Sequence, residues 1–240
     1  MIKIVSFKIC PFVQRVTALL EAKQLAYQVE YISLRDKPQW FLDISPNAQV
    51  PLLITQEGLA LFESEAIVEY INEVSYPLEE NLSPEQKALD RAWGYMAAKH
   101  YLVQCSAMRS ADEETLCERM MKLSKPFAKA EAALIQREAP NGKLFKGDKL
   151  SNVDIAWLPL LHRAQIIQNR TGFDLFANKP RVKAWQKALF ETGLFESSVS
   201  DDFESKFSDF YLSDETYLGQ GASCCQLDHN SCESKASGCC

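Results

Sequence analysis

The chain has 240 residues, 47% of them hydrophobic, and 26 Lys and Arg against 32 Asp and Glu for a formal net charge of -6. That balance gives no general attraction to nucleic acid or to an anionic membrane. No uninterrupted apolar run reaches the roughly 20 residues that a spanning helix needs, and the length suffices for one large domain or two small ones with cores of their own.

Residues 1 to 76 alternate strand and helix signals. Ile2 to Phe7 reads as a strand. Phe12 to Ala22 reads as a helix with Val16, Leu19 and Leu20 on one face. Tyr27 to Ile32 alternates as a strand, and Pro38 to Leu42 opens a short helix that stops before Pro46. Pro51 to Ile54 and Leu59 to Phe62 flank Gln56-Glu57-Gly58 as a hairpin. Ser64 then starts a helix that turns Ile67, Val68 and Ile71 inward. The order is βαβαββα, a compact α/β unit.

Residues 77 to 83 read as a linker, and residues 84 to 218 as an all-helical domain. Ser83-Pro84-Glu85-Gln86 has the spacing of a capping box, and its helix runs to about Arg109. A second helix is expected from about Glu113 to Arg137, bent near Pro126 and broken by Asn141-Gly142. Ser151 and Asp154 form another capping box, with Leu150 and Ile155 placed as a hydrophobic staple, and that helix is expected to kink at Pro159. Pro180 to Phe190 is a further helix, and residues 201 to 218 turn from helical to irregular. Residues 219 to 240 are rich in Gly, Ser and Cys and are expected to be disordered.

Five of the eight cysteines (Cys224, Cys225, Cys232, Cys239, Cys240) crowd into that last segment. The Cys225, His229 and Cys232 spacing does not match a paired zinc motif, so no metal is assigned. The body keeps Cys10, Cys105 and Cys117, which is ordinary reducing-compartment usage. The N-terminus enters a strand at once and lacks a signal-peptide layout, so a cytoplasmic protein is expected.

Cys10 carries the chemistry. It lies between a strand and a helix, where the helix dipole and unpaired amides favour thiolate over thiol. Pro11 suits the first helical position because its missing N–H is not needed there. Position 13 is Val, so a Cys-x-x-Cys pair is absent. A lone thiolate forms a mixed disulfide but needs a second thiol to release it, which points to glutathione.

Three further places fit a peptide ligand. A cis Val50-Pro51 bond at the start of a strand would leave the Val50 N–H and C=O turned outward to pair with an extended peptide. Glu63 and Ser64 at a helix N-terminus suit the ammonium and carboxylate of a γ-glutamyl group. Lys37 suits a carboxylate at the peptide's other end. Trp93, Tyr95 and Met96, with aromatics between Phe203 and Tyr211, are candidates for a second-substrate pocket.

Taken in order, Cys10-Pro11-Phe12-Val13-Gln14-Arg15, Leu34-Arg35-Asp36-Lys37-Pro38-Gln39-Trp40-Phe41, Pro46-Asn47-Ala48-Gln49-Val50-Pro51 and Phe62-Glu63-Ser64-Glu65-Ala66-Ile67 resemble the glutathione transferase superfamily, and within it the omega class. The resemblance implies a thioredoxin-like first domain with a mixed sheet and an all-α second domain. It implies glutathione as co-substrate, with its γ-glutamyl end at Glu63 and Ser64, its cysteine backbone on Val50 and Pro51, its glycine carboxylate near Lys37, and Phe12 beside it. Cys10 replaces the Tyr or Ser of other classes, which favours thiol transfer or dehydroascorbate reduction over conjugation. Implied partners are a small electrophile or disulfide and a second copy of the chain, with neither nucleic acid nor membrane. The competing expectation is a non-catalytic redox or stress interaction protein on the same fold.

Overall fold

The computed structural model describes residues 1–137 and 142–221. Asn141 and the Cys-rich segment from residue 222 onward lie outside the described residues, and with them the expectations attached to them. The first unit runs β1 (Ile2–Ser6), α1 (Pro11–Ala22), β2 (Tyr27–Tyr31), α2 (Gln39–Ile44), β3 (Leu52–Ile54), β4 (Ala60–Phe62) and α3 (Ser64–Val74). Its four strands lie in the order β2-β1-β3-β4. β1 and β2 are parallel, with Ile2 opposite Tyr27 and Ser6 opposite Tyr31. β3 is antiparallel to both β1 and β4, so the sheet is mixed. Ile4 and Leu53 on one face join the main core with Val16, Leu19, Leu20, Ile67 and Ile71. Val5 and Leu52 on the other face pack with Ile32 and Phe41 in a smaller cluster. The alternation that wrote each strand therefore decides which layer covers which face.

The second unit is helical: α4 (Pro84–Met108), α5 (Glu113–Gln136), α6 (Asn152–Thr171), α7 (Pro180–Phe190), α8 (Leu194–Ser197) and α9 (Phe203–Tyr211). α5 runs as one element through Pro126 and α6 through Pro159. The expected capping box on α4 is formed by Ser83 and Gln86, at 2.9 and 3.2 Å. That on α6 is formed by Ser151 and Asp154. Residues 219–221, expected to be part of a disordered tail, close a turn instead: Gly219 N–H donates to Thr216 Oγ1 at 3.1 Å and Leu218 is buried.

α6 is the axis on which the two units meet. Fourteen of its residues are buried, since it packs on α4 and α7 within its own unit and on α1 of the other. A second junction lies at Arg15, a buried residue of α1 that pairs with Glu65 of α3. α4 crosses closely there at Gly94, where an added Cβ would stand 3.2 Å from Arg15 Nη2.

Candidate active site

Cys10 is the N-cap residue of α1, with φ -75° and ψ 121°. Its N–H donates to Phe7 C=O at 3.0 Å, and its C=O accepts from Gln14 N–H at 3.1 Å, which locks the turn. Pro11 follows at the first helical position. The N–H groups of Phe12 and Val13 face the thiol and pull its pKa down, as does the Arg163 guanidinium. Burial outweighs them and pushes the thiol from 9.0 up to about 11. The depressed pKa expected from the helix N-terminus is therefore corrected: two amides and one cation do not offset the loss of water around this half-buried sulfur.

The Val50-Pro51 bond is cis. The Val50 N–H and C=O take part in none of the hydrogen bonds found among the described residues, which leaves them open to an extended peptide. The loop before them is tied at both ends. Lys37 Nζ donates to Ala48 C=O at 2.9 Å, and Asn47 Nδ2 donates to Glu63 Oε1 at 2.8 Å. One continuous rim thus joins Lys37, residues 47–50 and Glu63. Glu63 is exposed with φ 65°, and Ser64 is the buried first residue of α3. Phe12 sets its ring edge-to-face on Tyr101 of α4, centroids 5.1 Å apart.

The three α4 residues expected at a second-substrate pocket have different surroundings. Trp93 packs into the helical core against Phe145 at 4.9 Å and Trp157 at 6.1 Å. Tyr95 is exposed, and Met96 is half-buried with its C=O bonded to His100 Nδ1 at 2.6 Å. The ionisable groups that act on Cys10 from the helical unit are Tyr101 and Cys105 of α4, Arg163 of α6 and Tyr211 of α9. Helical periodicity finds apolar stripes but does not say which end of a long helix meets another domain.

Behind Cys10 lies a buried polar network that sequence reasoning missed. Arg163 donates through Nη1 to Gln14 Oε1 and to Pro159 C=O at 3.0 Å, and through Nη2 to Ile9 C=O at 3.1 Å. Gln14 Nε2 faces His162 Nδ1 at 2.7 Å and Ser198 Oγ at 3.2 Å. Since Gln14 spends its oxygen on Arg163, its amide must donate to His162, whose Nδ1 is the acceptor. His162 stacks between Phe195 at 4.8 Å and Phe203 at 5.2 Å. A cleft of about 40 Å³ beside this network is lined by Cys10, Lys8, Gln14, Tyr31 and Ser198. The available signal was a consecutive His162-Arg163 directly after the apolar run Ile155 to Leu161.

Residues 9–74 match the glutathione S-transferase N-terminal domain family and residues 78–192 the C-terminal domain family. The chain is 27% identical over 215 residues to glutathione S-transferase omega-1 of Sus scrofa, covering 88% of this chain and 86% of that one. It is 28% identical over 190 residues to glutathione S-transferase DHAR2 of Arabidopsis thaliana, covering 79% and 83%. Among solved structures, glutathione transferase Omega 3C from Trametes versicolor superposes with a TM-score of 0.70 at 25% identity, covering 83% of this chain and 89% of that one. The chain belongs to the glutathione transferase superfamily, in its omega-like group.

Proposed function

We propose that the protein is a glutathione-dependent thiol transferase in which Cys10 forms a mixed disulfide with glutathione. The observation that carries this reading is the pairing of two features. A single thiol caps α1 with no partner cysteine at position 13, and the Val50 backbone is left open for a peptide. Cys10 thiolate attacks a glutathionyl sulfur, the Cys10–glutathione S–S bond forms, and the other sulfur leaves as thiolate. A second glutathione thiolate then attacks the glutathione sulfur of that bond, releasing Cys10 thiolate and glutathione disulfide. Electrons balance without a further oxidant or reductant. Glu63 and Ser64 hold the γ-glutamyl end, Val50 pairs with the cysteine backbone, and Lys37 attracts the glycine carboxylate, with Phe12 alongside. The peptide would displace the Lys37 and Glu63 contacts that now close the rim. Cytoplasmic reduction of protein or small-molecule glutathione disulfides fits this chemistry; dehydroascorbate enters it when Cys10 thiolate adds to its carbonyl and a glutathione thiolate attacks the Cys10 sulfur, so that ascorbate leaves and the same Cys10–glutathione disulfide remains.

The raised Cys10 pKa favours a second reading, a glutathione-binding interaction protein that does not turn over. One set of measurements separates the two. Activity is assayed with hydroxyethyl disulfide, dehydroascorbate, phenacyl-glutathione and chlorodinitrobenzene, and glutathione affinity is read by calorimetry, for the wild type and Cys10→Ser. The enzyme reading expects turnover with the first two or three substrates. It also expects loss of at least ~100-fold in Cys10→Ser with affinity kept, because removing a covalent nucleophile removes the pathway. Binding without turnover on every substrate supports the second reading.

A further inference from the structure

Two arginines are buried at the junction of the two units, and they are treated differently. Arg15 is neutralised by Glu65. Arg163, 0% exposed, has no ion pair among the described residues. Its three hydrogen bonds go to neutral oxygens, of Gln14, Pro159 and Ile9. Its Nε is buried and has no partner. The faces of Phe203 and Phe207 lie 5.4 and 6.0 Å from the guanidinium, and a ring quadrupole compensates a cation only in part. A buried, uncompensated cation is heavily penalised, so its retention asks for an anion that is present for part of the time.

The position says which anion. Ile9, bonded by Nη2 at 3.1 Å, is the residue before Cys10, so the guanidinium sits directly under the turn that presents the thiol. The ionisable groups that act on it are, strongest first, Cys105, Cys10, Tyr211 and Tyr101. Burial pushes both phenols further from ionisation. On the β2 side of the cleft Lys8 is bound to Asp202 at 2.6 Å, and Tyr31 lies under the Lys8 ammonium at 5.5 Å. His162 is held neutral by burial and by the Arg163 charge. Of the two thiols, Cys10 alone caps a helix, with the Phe12 and Val13 N–H groups aimed at it.

We propose that Arg163 is a positioning residue for the thiol chemistry: its guanidinium is the standing counter-charge of Cys10 thiolate, supplied from the helical domain to a nucleophile on the other. This rests on the thiol-transfer reading above. On ionisation the thiol proton leaves to solvent and Arg163 stays protonated throughout. The charge that lacks a partner in the thiol state gains one in the thiolate state, so the protein stores in Arg163 part of the stabilisation that the sulfur needs.

The test is the pH dependence of Cys10 alkylation by iodoacetamide in the full chain, followed on the Cys10 peptide by mass spectrometry. Arg163→Met should move the inflection upward by about one pH unit or more, making reaction near neutral pH roughly tenfold slower. Arg163→Lys, which keeps the charge and loses most of the hydrogen bonds, should restore most of the difference. Gln14→Glu leaves Arg163 in place and sets a carboxylate against it, and it too should move the inflection upward. That variant and the Lys variant keep the proposal exposed if the Met variant does not fold. An unmoved inflection in Gln14→Glu, or an Arg163→Lys variant as impaired as Arg163→Met, would show that Arg163 only ties the β1–α1 turn to α6. A wild type that takes up no glutathione on Cys10 would sink the thiol-transfer reading instead, whatever the alkylation profiles show.

Discussion

His162 shows how much a single buried ring constrains this protein. Burial and the adjacent Arg163 push its pKa from 6.5 down to about 3. The folded state therefore refuses a proton that the unfolded chain accepts below about pH 6.5, and stability falls as pH drops through that window toward 3. The slope due to this one group approaches ~1.4 kcal/mol per pH unit at its steepest. Urea unfolding at pH 7, 5.5 and 4.5 should show it, and His162→Phe should lose about one proton's worth of the slope. An unchanged slope in the variant would mean that the ring is hydrated in solution. The cap position of Cys10, the cis Val50-Pro51 bond and the start of α3 at Ser64 were legible in the sequence because each lies in a local signal, a turn or a helix start. Arg163, His162 and Gln14 were not, because their roles depend on contacts between positions 14 and 162 or 163 that no local pattern encodes.

At the scale of elements, the start of α6 is the most heavily bonded helix end in the molecule among the described residues. Asp154, fully buried, accepts from Ser151 N–H at 2.9 Å and Ser151 Oγ at 2.6 Å through one oxygen. Its other oxygen takes Phe145 N–H at 2.9 Å and Trp185 Nε1 at 2.7 Å. One side chain thus ties the α5–α6 loop, the α6 cap and α7 together. Asp154→Ala should cost about 3 kcal/mol, the range for stranding several buried donors at once. A loss under ~1 kcal/mol by denaturant titration would mean that water replaces the carboxylate. The spacing of Ser151, Asp154, Leu150 and Ile155 disclosed the cap, since caps are written within four residues. It could not disclose the bonds to Phe145 and Trp185. The four-residue helix α8 went unread for a related reason: Leu194–Ser197 is too short for a helical period and is held by the buried Leu194 and Phe195.

For the whole molecule, the two units are joined by buried polar groups as well as by apolar packing. Arg163–Gln14, the Gln14 Nε2 contact with His162 Nδ1 at 2.7 Å and the Thr17 Oγ1 bond to Ser198 C=O at 2.6 Å all run from α1 to the helical unit. The βαβαββα order and the helical second unit followed from periodicity alone. The placement of α6 against α1 did not, since every face of a helix so apolar looks alike in sequence. We expect a homodimer that pairs the outer faces of α3 and α4 across a two-fold axis. Leu89 and Leu102 are about three-fifths exposed on α4 (60% and 64%), and Tyr95 is 44% exposed. Light scattering across a range of concentrations should give twice the monomer mass, and Leu102→Glu should lower it. A monomeric mass throughout contradicts the pairing.

Passage of glutathione through Cys10 from one thiol to another can be read by mass. The full chain is treated with glutathione disulfide, its peptides are mapped, and excess reduced glutathione is then added. One glutathione is expected on Cys10, absent in Cys10→Ser and removed by the reduced thiol. An unmodified Cys10, or a Cys10 adduct that reduced glutathione does not release, would contradict it.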